Sequence, residues 1–133
     1  MVLHKSKFSE IILEKENSLI IDKFLPETEL MEGKDFKKEI ITFAEKVEEH
    51  EPERELVHLI DMNYVIDPDM QEWMNKEIFP RYENIIKRMA FLVPKEIFAQ
   101  ASVEQTMENE SGQKFVQKFF KDEQEARKWL MES

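Results

Sequence analysis

The chain has no cysteine and only two glycines, Gly33 and Gly112. Without cysteine there are no disulfides, no thiolate nucleophile and no cysteine metal site. Phosphate-cradling loops need several glycines within a few residues, so two isolated ones exclude them. No serine is flanked by the glycines that a nucleophile elbow requires. Positive charge is also scarce: 19 Lys and Arg stand against 29 Asp and Glu, for a formal charge of −10. A nucleic-acid binder needs a basic surface to displace phosphate counterions, so DNA and RNA are not expected partners. Anionic membrane surfaces are disfavoured on the same ground. No apolar run reaches membrane-spanning length, and the opening MVLHKSKFSE has no apolar signal core. The expectation is a cytoplasmic protein with no membrane insertion.

What is present suits one globular domain over residues 1–133, with 41% hydrophobic and 36% charged residues. The segment RELVHLIDMNYVIDPDMQEW, from Arg54 to Trp73, organises the rest. Leu56, Val57, Leu59 and Ile60 form a short apolar run, which predicts a strand covered on both faces. Asp67-Pro68-Asp69 then opens a helix. Asp67 is suited to N-cap and Pro68 to the first helical position, and Asp69 favours the positive end of the helix dipole.

Upstream, Phe8–Glu14 and Leu19–Leu25 read as a hairpin around Lys15-Glu16-Asn17-Ser18, with Asn17 suited to a left-handed turn position. Phe36, Ile40, Phe43, Ala44 and Val47 recur at helical spacing, and that helix should end near His50, before Pro52. Downstream, Met70, Trp73, Met74 and Ile78 continue the helix from Pro68 until Pro80 interrupts it. Met89–Val93 is a further strand. Lys95–Asn109 is helical, with Phe98, Ala101 and Met107 expected inward and a restart expected at Ser102, where Ser102 and Gln105 resemble a capping box. Phe115–Phe120 is the last strand. Asp122 with Glu125 caps a final helix carrying Ala126, Trp129 and Leu130.

This alternation requires crossover connections. It predicts an α/β fold whose mixed sheet is mostly parallel, with the strands from residues 19, 56, 89 and 115 running together. One antiparallel edge strand comes from the N-terminal hairpin, and about four helices accompany the sheet.

The run LVHLIDMNYVIDPDMQEW resembles the strand, loop and helix start of STAS domains, and FVQKFF with KDEQEARKWL is similar to their last strand and helix. Asp67-Pro68-Asp69 with Trp73, Phe79-Pro80-Arg81 and IFAQASVEQ is similar to small bacterial proteins of the STAS/SEC14 type. That resemblance implies a SpoIIAA-like arrangement and a non-enzymatic regulatory or protein-interaction role with an unidentified protein partner. The SEC14 side implies the alternative, a small-molecule or lipid-binding carrier. STAS regulation uses a phosphorylatable serine at the start of the helix after the central strand. Asp67, Pro68 and Asp69 occupy that region here with no hydroxyl among them, so phosphorylation at this position is not expected.

No catalytic constellation is legible, and no cofactor or metal is expected. His58 lies in the central strand and reads as a packed core residue. Asp61, Asp67 and Asp69 could gather at the end of the sheet, but capping and turn roles account for them. The 8 Met and 10 Phe suit either core filling or a soft binding surface. A helix displaced at Pro80 cannot keep both Phe79 and Tyr82 in the inward phase of Met70, Trp73 and Met74. Ile78, Phe79 and Tyr82 are therefore the expected interaction surface and the seam of a homodimer.

Overall fold

A computed structural model describes residues 1–132, so Ser133 lies outside the described residues. Six strands form one mixed sheet in chain order: β1 Val2–Lys5, β2 Ser9–Glu14, β3 Leu19–Phe24, β4 Arg54–His58, β5 Arg88–Leu92 and β6 Gln117–Phe120. Strands β3 to β6 are mutually parallel, as the alternation predicts. β2 pairs antiparallel with β3 on one side and with β1 on the other. The edge therefore differs from the expectation. β1 was not foreseen, and it moves β2 inside the sheet as the one strand running against the others. Its four residues carry too little alternation to read as a strand. Pairing with β2 holds it, the Met1 amino group donating to the Leu13 carbonyl and the Leu13 N–H to the Met1 carbonyl, with Leu3 packed on the large core and His4 bonded to Glu39.

The sequential order of the parallel strands decides where the helices lie. Right-handed crossovers that always step in one direction return on the same face of the sheet. α1 (Gly33–His50), α2 (Pro68–Trp73), α3 (Phe79–Tyr82) and α4 (Ile97–Glu108) all contribute to one large core. α5 (Glu123–Met131) follows the last strand and covers the other face with Ala126 and Leu130. Strand alternation sorts the sheet residues between these cores. Ile20, Phe24, Val57, Met89 and Phe91 enter the large one, and Leu19, Ile21, Leu56, Ala90 and Leu92 the small one.

Pro80 acts differently from the expectation. α2 and α3 are joined by a π turn, Met74–Ile78, into one continuous rod. The Phe79 N–H, the last donor before the proline, bonds the Met74 carbonyl five residues back. The extra residue in this turn shifts the helical phase by about 100°, which brings the next side chains back inward. Ile78, Phe79 and Tyr82 are accordingly all buried, with Phe79 and Tyr82 packed on Phe115 and Tyr82 also on Phe43. The surface patch expected from them, and with it the seam for a homodimer, is not at the surface.

Three local expectations are corrected. The left-handed residue of the hairpin is Ser18 rather than Asn17, because a 3-10 turn over Lys15–Asn17 delays the reversal by one position. Phe98 is 70% exposed and Ala101 is exposed, since α4 starts at Ile97 under a Glu96 cap and turns Ala99, Val103 and Met107 inward. Ser102 does not restart that helix. Its hydroxyl donates to the Ala99 carbonyl and accepts the Ile66 N–H, tying the loop after β4 to α4.

Asp67 occupies the N-cap of α2, its Oδ1 accepting the Met70 N–H at 2.8 Å. Asp67→Ala should lower stability by about 1 kcal/mol, the usual loss for such a cap. Chemical denaturation checks it, and an unchanged midpoint would count against the cap's contribution.

Candidate functional site

The large core contains a chamber of about 60 Å³ against the faces of β3, β4 and β5. Most of its wall is aromatic or aliphatic, including Phe24, Phe36, Phe43 and Val57. Four of the eight methionines, Met62, Met74, Met89 and Met107, line it as well. Into this apolar wall project the carboxyls of Asp22 and Glu55 and the ring of Tyr82. Strand geometry places the acids. Asp22 shares its face with Ile20 and Phe24, and Glu55 shares its face with Val57. In the parallel β3–β4 ladder Glu55 pairs with Ile20 and Asp22 with Val57, so the two acids are diagonal neighbours. Tyr82 arrives from α3, set by the π turn.

Both acids are almost fully removed from water, with Asp22 4% and Glu55 3% exposed. Glu55 Oε1 is buried with no hydrogen-bond partner among the described residues. No cationic side chain lines the chamber. Burial pushes both carboxyls well above the usual carboxylate range; the charge of Glu39 on α1 adds to the effect on Asp22, and Asp22 adds to that on Glu55. Burial likewise raises the Tyr82 phenol, with Glu55 and Asp22 adding to it. Burial thus favours the protonated form of each carboxyl, in which it can donate as well as accept, as the phenol can. Thr106 also lines it, but its hydroxyl is committed to the Ser102 carbonyl.

Glu39 stands outside the chamber lining. Its carboxylate accepts from Ser6 Oγ and Ser9 Oγ and pairs with His4 Nε2 at 3.0 Å. That cluster fixes α1 to the β1–β2 turn.

The residues singled out in the sequence fall elsewhere. Asp67, Pro68 and Asp69 are exposed at the start of α2, clear of the chamber. Asp61 is half-buried and joins no metal cluster: among the described residues no group of three or more His, Asp or Glu could hold an ion. A crevice at the carboxyl ends of the strands was not to be expected from this topology, since the parallel order never reverses and so has no switch point. His58 packs on the small-core face 3.8 Å from Glu123, and burial holds its pKa below the usual range. Of the expected interaction residues, Phe79 and Tyr82 line the chamber and Ile78 packs in the same core. No family model matches the chain, and neither does a curated protein or a solved structure.

Asp22 and Glu55 were missed, although both leave a trace in the sequence. Asp22 interrupts the run Leu19-Ile20-Ile21-Asp22-Lys23-Phe24 in phase with Ile20 and Phe24. Glu55 stands two residues before Val57, in phase with it.

These acids set the pH dependence of folding. The unfolded chain releases their protons near 3.8 and 4.5, the ordinary values, whereas the folded chain holds them to higher pH. Stability is full below those ordinary values and falls as pH rises through the folded pKa values. Each unit of upward displacement corresponds to about 1.4 kcal/mol lost. The protein should unfold at lower denaturant concentration at pH 8 than at pH 5. Asp22→Asn with Glu55→Gln should flatten that slope and raise the pH 8 midpoint. A wild-type midpoint that rises between pH 5 and pH 8 would refute the assignment.

Proposed function

We propose that this is a non-enzymatic regulatory domain of STAS-like type that responds to a small molecule held in the Asp22–Glu55–Tyr82 chamber. The observation that carries the reading is the unpartnered Glu55 carboxyl beside Asp22 on the wall of an apolar cavity. An unsatisfied buried polar group costs about 1–3 kcal/mol, and apolar residues at both positions would remove that cost. A ligand that completes the hydrogen bonds accounts for keeping them.

Two further features support it. Methionine side chains repack readily, so the four on the wall let the chamber adjust to a guest. The loop after β4 supplies Leu59, Met62 and Ile66 to the wall and runs directly into Asp67-Pro68-Asp69 at the surface. In STAS domains that helix start is the regulatory position, so occupancy inside is one residue from a surface a protein partner can read. The lipid-carrier alternative is less well supported, because drug-sized sites occupy about 300–1,000 Å³ and this chamber is far smaller.

Native mass spectrometry and thermal shift against a library of small polar molecules test the reading. Wild type should carry a small-molecule adduct or gain melting temperature with members of the library. Val103→Phe, which fills the chamber, should lose both while remaining folded. A wild type that shows neither, with Val103→Phe simply more stable, would mean the chamber is a packing defect.

A further inference from the structure

Resting on the proposal that the chamber binds a ligand, we infer that its guest is a small primary ammonium ion. The argument begins with what the wall lacks. Asp22 comes from β3, Glu55 from β4 and Tyr82 from α3, and every charged side chain on the wall is acidic. The charged groups bearing on them from neighbouring elements are Glu39 of α1 and Arg81 of α3, and Arg81 is taken up by Glu48 at the surface. The facing segments of β5 and α4 contribute Met89, Phe91, Val103, Thr106 and Met107, none of which is charged. With no cationic side chain on the wall, an anionic guest would find nothing there to balance its charge. An ammonium gives Glu55 Oε1 the donor it lacks and has further N–H groups for the other oxygens of the wall, on Asp22 and Tyr82.

The rest of the wall selects among cations. Magnesium or calcium requires six or more oxygen ligands, whereas the chamber offers two carboxyls and a phenol in a wall of carbon and sulfur. An alkylammonium presents its charged end to the acids and its carbon to that wall. The rings of Phe24, Phe43, Phe79 and Phe91 add cation–π attraction for charge inside an apolar enclosure. The chamber is less than half the size of the roughly 150 Å³ cavity that takes benzene, so the guest has only a few non-hydrogen atoms.

Binding exchanges one cation for another at the carboxylate. The carboxyl O–H bond breaks, its proton leaves to water, and the ammonium N–H donates to the oxygen that remains. Affinity should then rise about tenfold per pH unit until the carboxyl ionises in the empty protein.

The test is a titration of the protein carrying carbon-13 methionine methyl groups with ethylammonium chloride between pH 5 and pH 8. Ionic strength is held constant, and ethanol, acetamide and potassium chloride serve as comparison probes. The expected result is saturable shifts of the chamber methionine methyls, with a Kd of about a millimolar or weaker for so small a guest. Affinity should rise with pH, and Glu55→Gln should weaken binding at least about tenfold at pH 8. Ethanol or acetamide binding as well as ethylammonium would overturn the ammonium inference while leaving the ligand-binding proposal in place. Equal shifts from potassium would mean a simple cation site and would also overturn it. No saturable shift with any probe would count against both.

Discussion

Each parallel crossover in this chain steps to the next strand in the same direction, and that single constraint shapes the rest. Because such crossovers return on one face, α1, the α2–α3 rod and α4 crowd together over β3, β4 and β5. The opposite face is left to one helix. A sheet covered so unequally has a thick core and a thin one. Cavities form where many elements converge on a common floor, and the chamber lies on the thick side under three helical elements.

The two faces are also held by different chemistry. On the thin side, arginines from the sheet anchor α5. Arg54 Nε donates to the Leu130 carbonyl at 2.9 Å, and Arg88 donates to the Trp129 carbonyl while stacking on the Trp129 ring. These charges sit at the helix C-terminus, where the dipole favours them. Arg127 bridges Glu14 and Glu123; those bonds hold the Glu14 carboxyl below and the Arg127 guanidinium above their usual ranges. Directional bonds of this kind leave α5 little freedom. The thick side relies instead on Met and Phe, with a few buried polar links between its helices. One is Asn75, whose amide bonds the Gln71 and Thr106 carbonyls and accepts the Gly112 N–H. Gly112 approaches so closely that an added Cβ would lie 2.8 Å from the backbone of α4.

Asp22 and Glu55 set strict folding chemistry against a site. In the centre of a parallel sheet an acid is destabilising unless it is neutral or paired. Here burial pushes both toward the neutral form, whereas the buried Glu39 is satisfied by Ser6, Ser9 and His4. A fully bonded buried glutamate and one with an unbonded oxygen thus stand in the same small fold.

Local sequence determined the elements whose causes are local. The apolar stripe from Phe36 to Val47, the strands of the hairpin, the Asp67-Pro68 helix start and the Asp122 cap depend on residues within four positions of one another, and each forms as its spacing predicts. The parallel direction of β3 to β6 was legible as well, because helices between short strands leave the chain no other economical route. Tertiary structure decided what depends on distant partners. β1 exists only because β2 offers it an edge, and Phe98 faces out because α4 begins where the β5 connection releases it. The inward turn of Phe79 and Tyr82 needed a π turn that no residue in the segment announces, since Pro80 alone is compatible with a kink, a break or an inserted residue. The chamber was the least legible feature. Asp22 and Glu55 stand 33 positions apart in the chain, and only the register of β3 on β4 makes them neighbours.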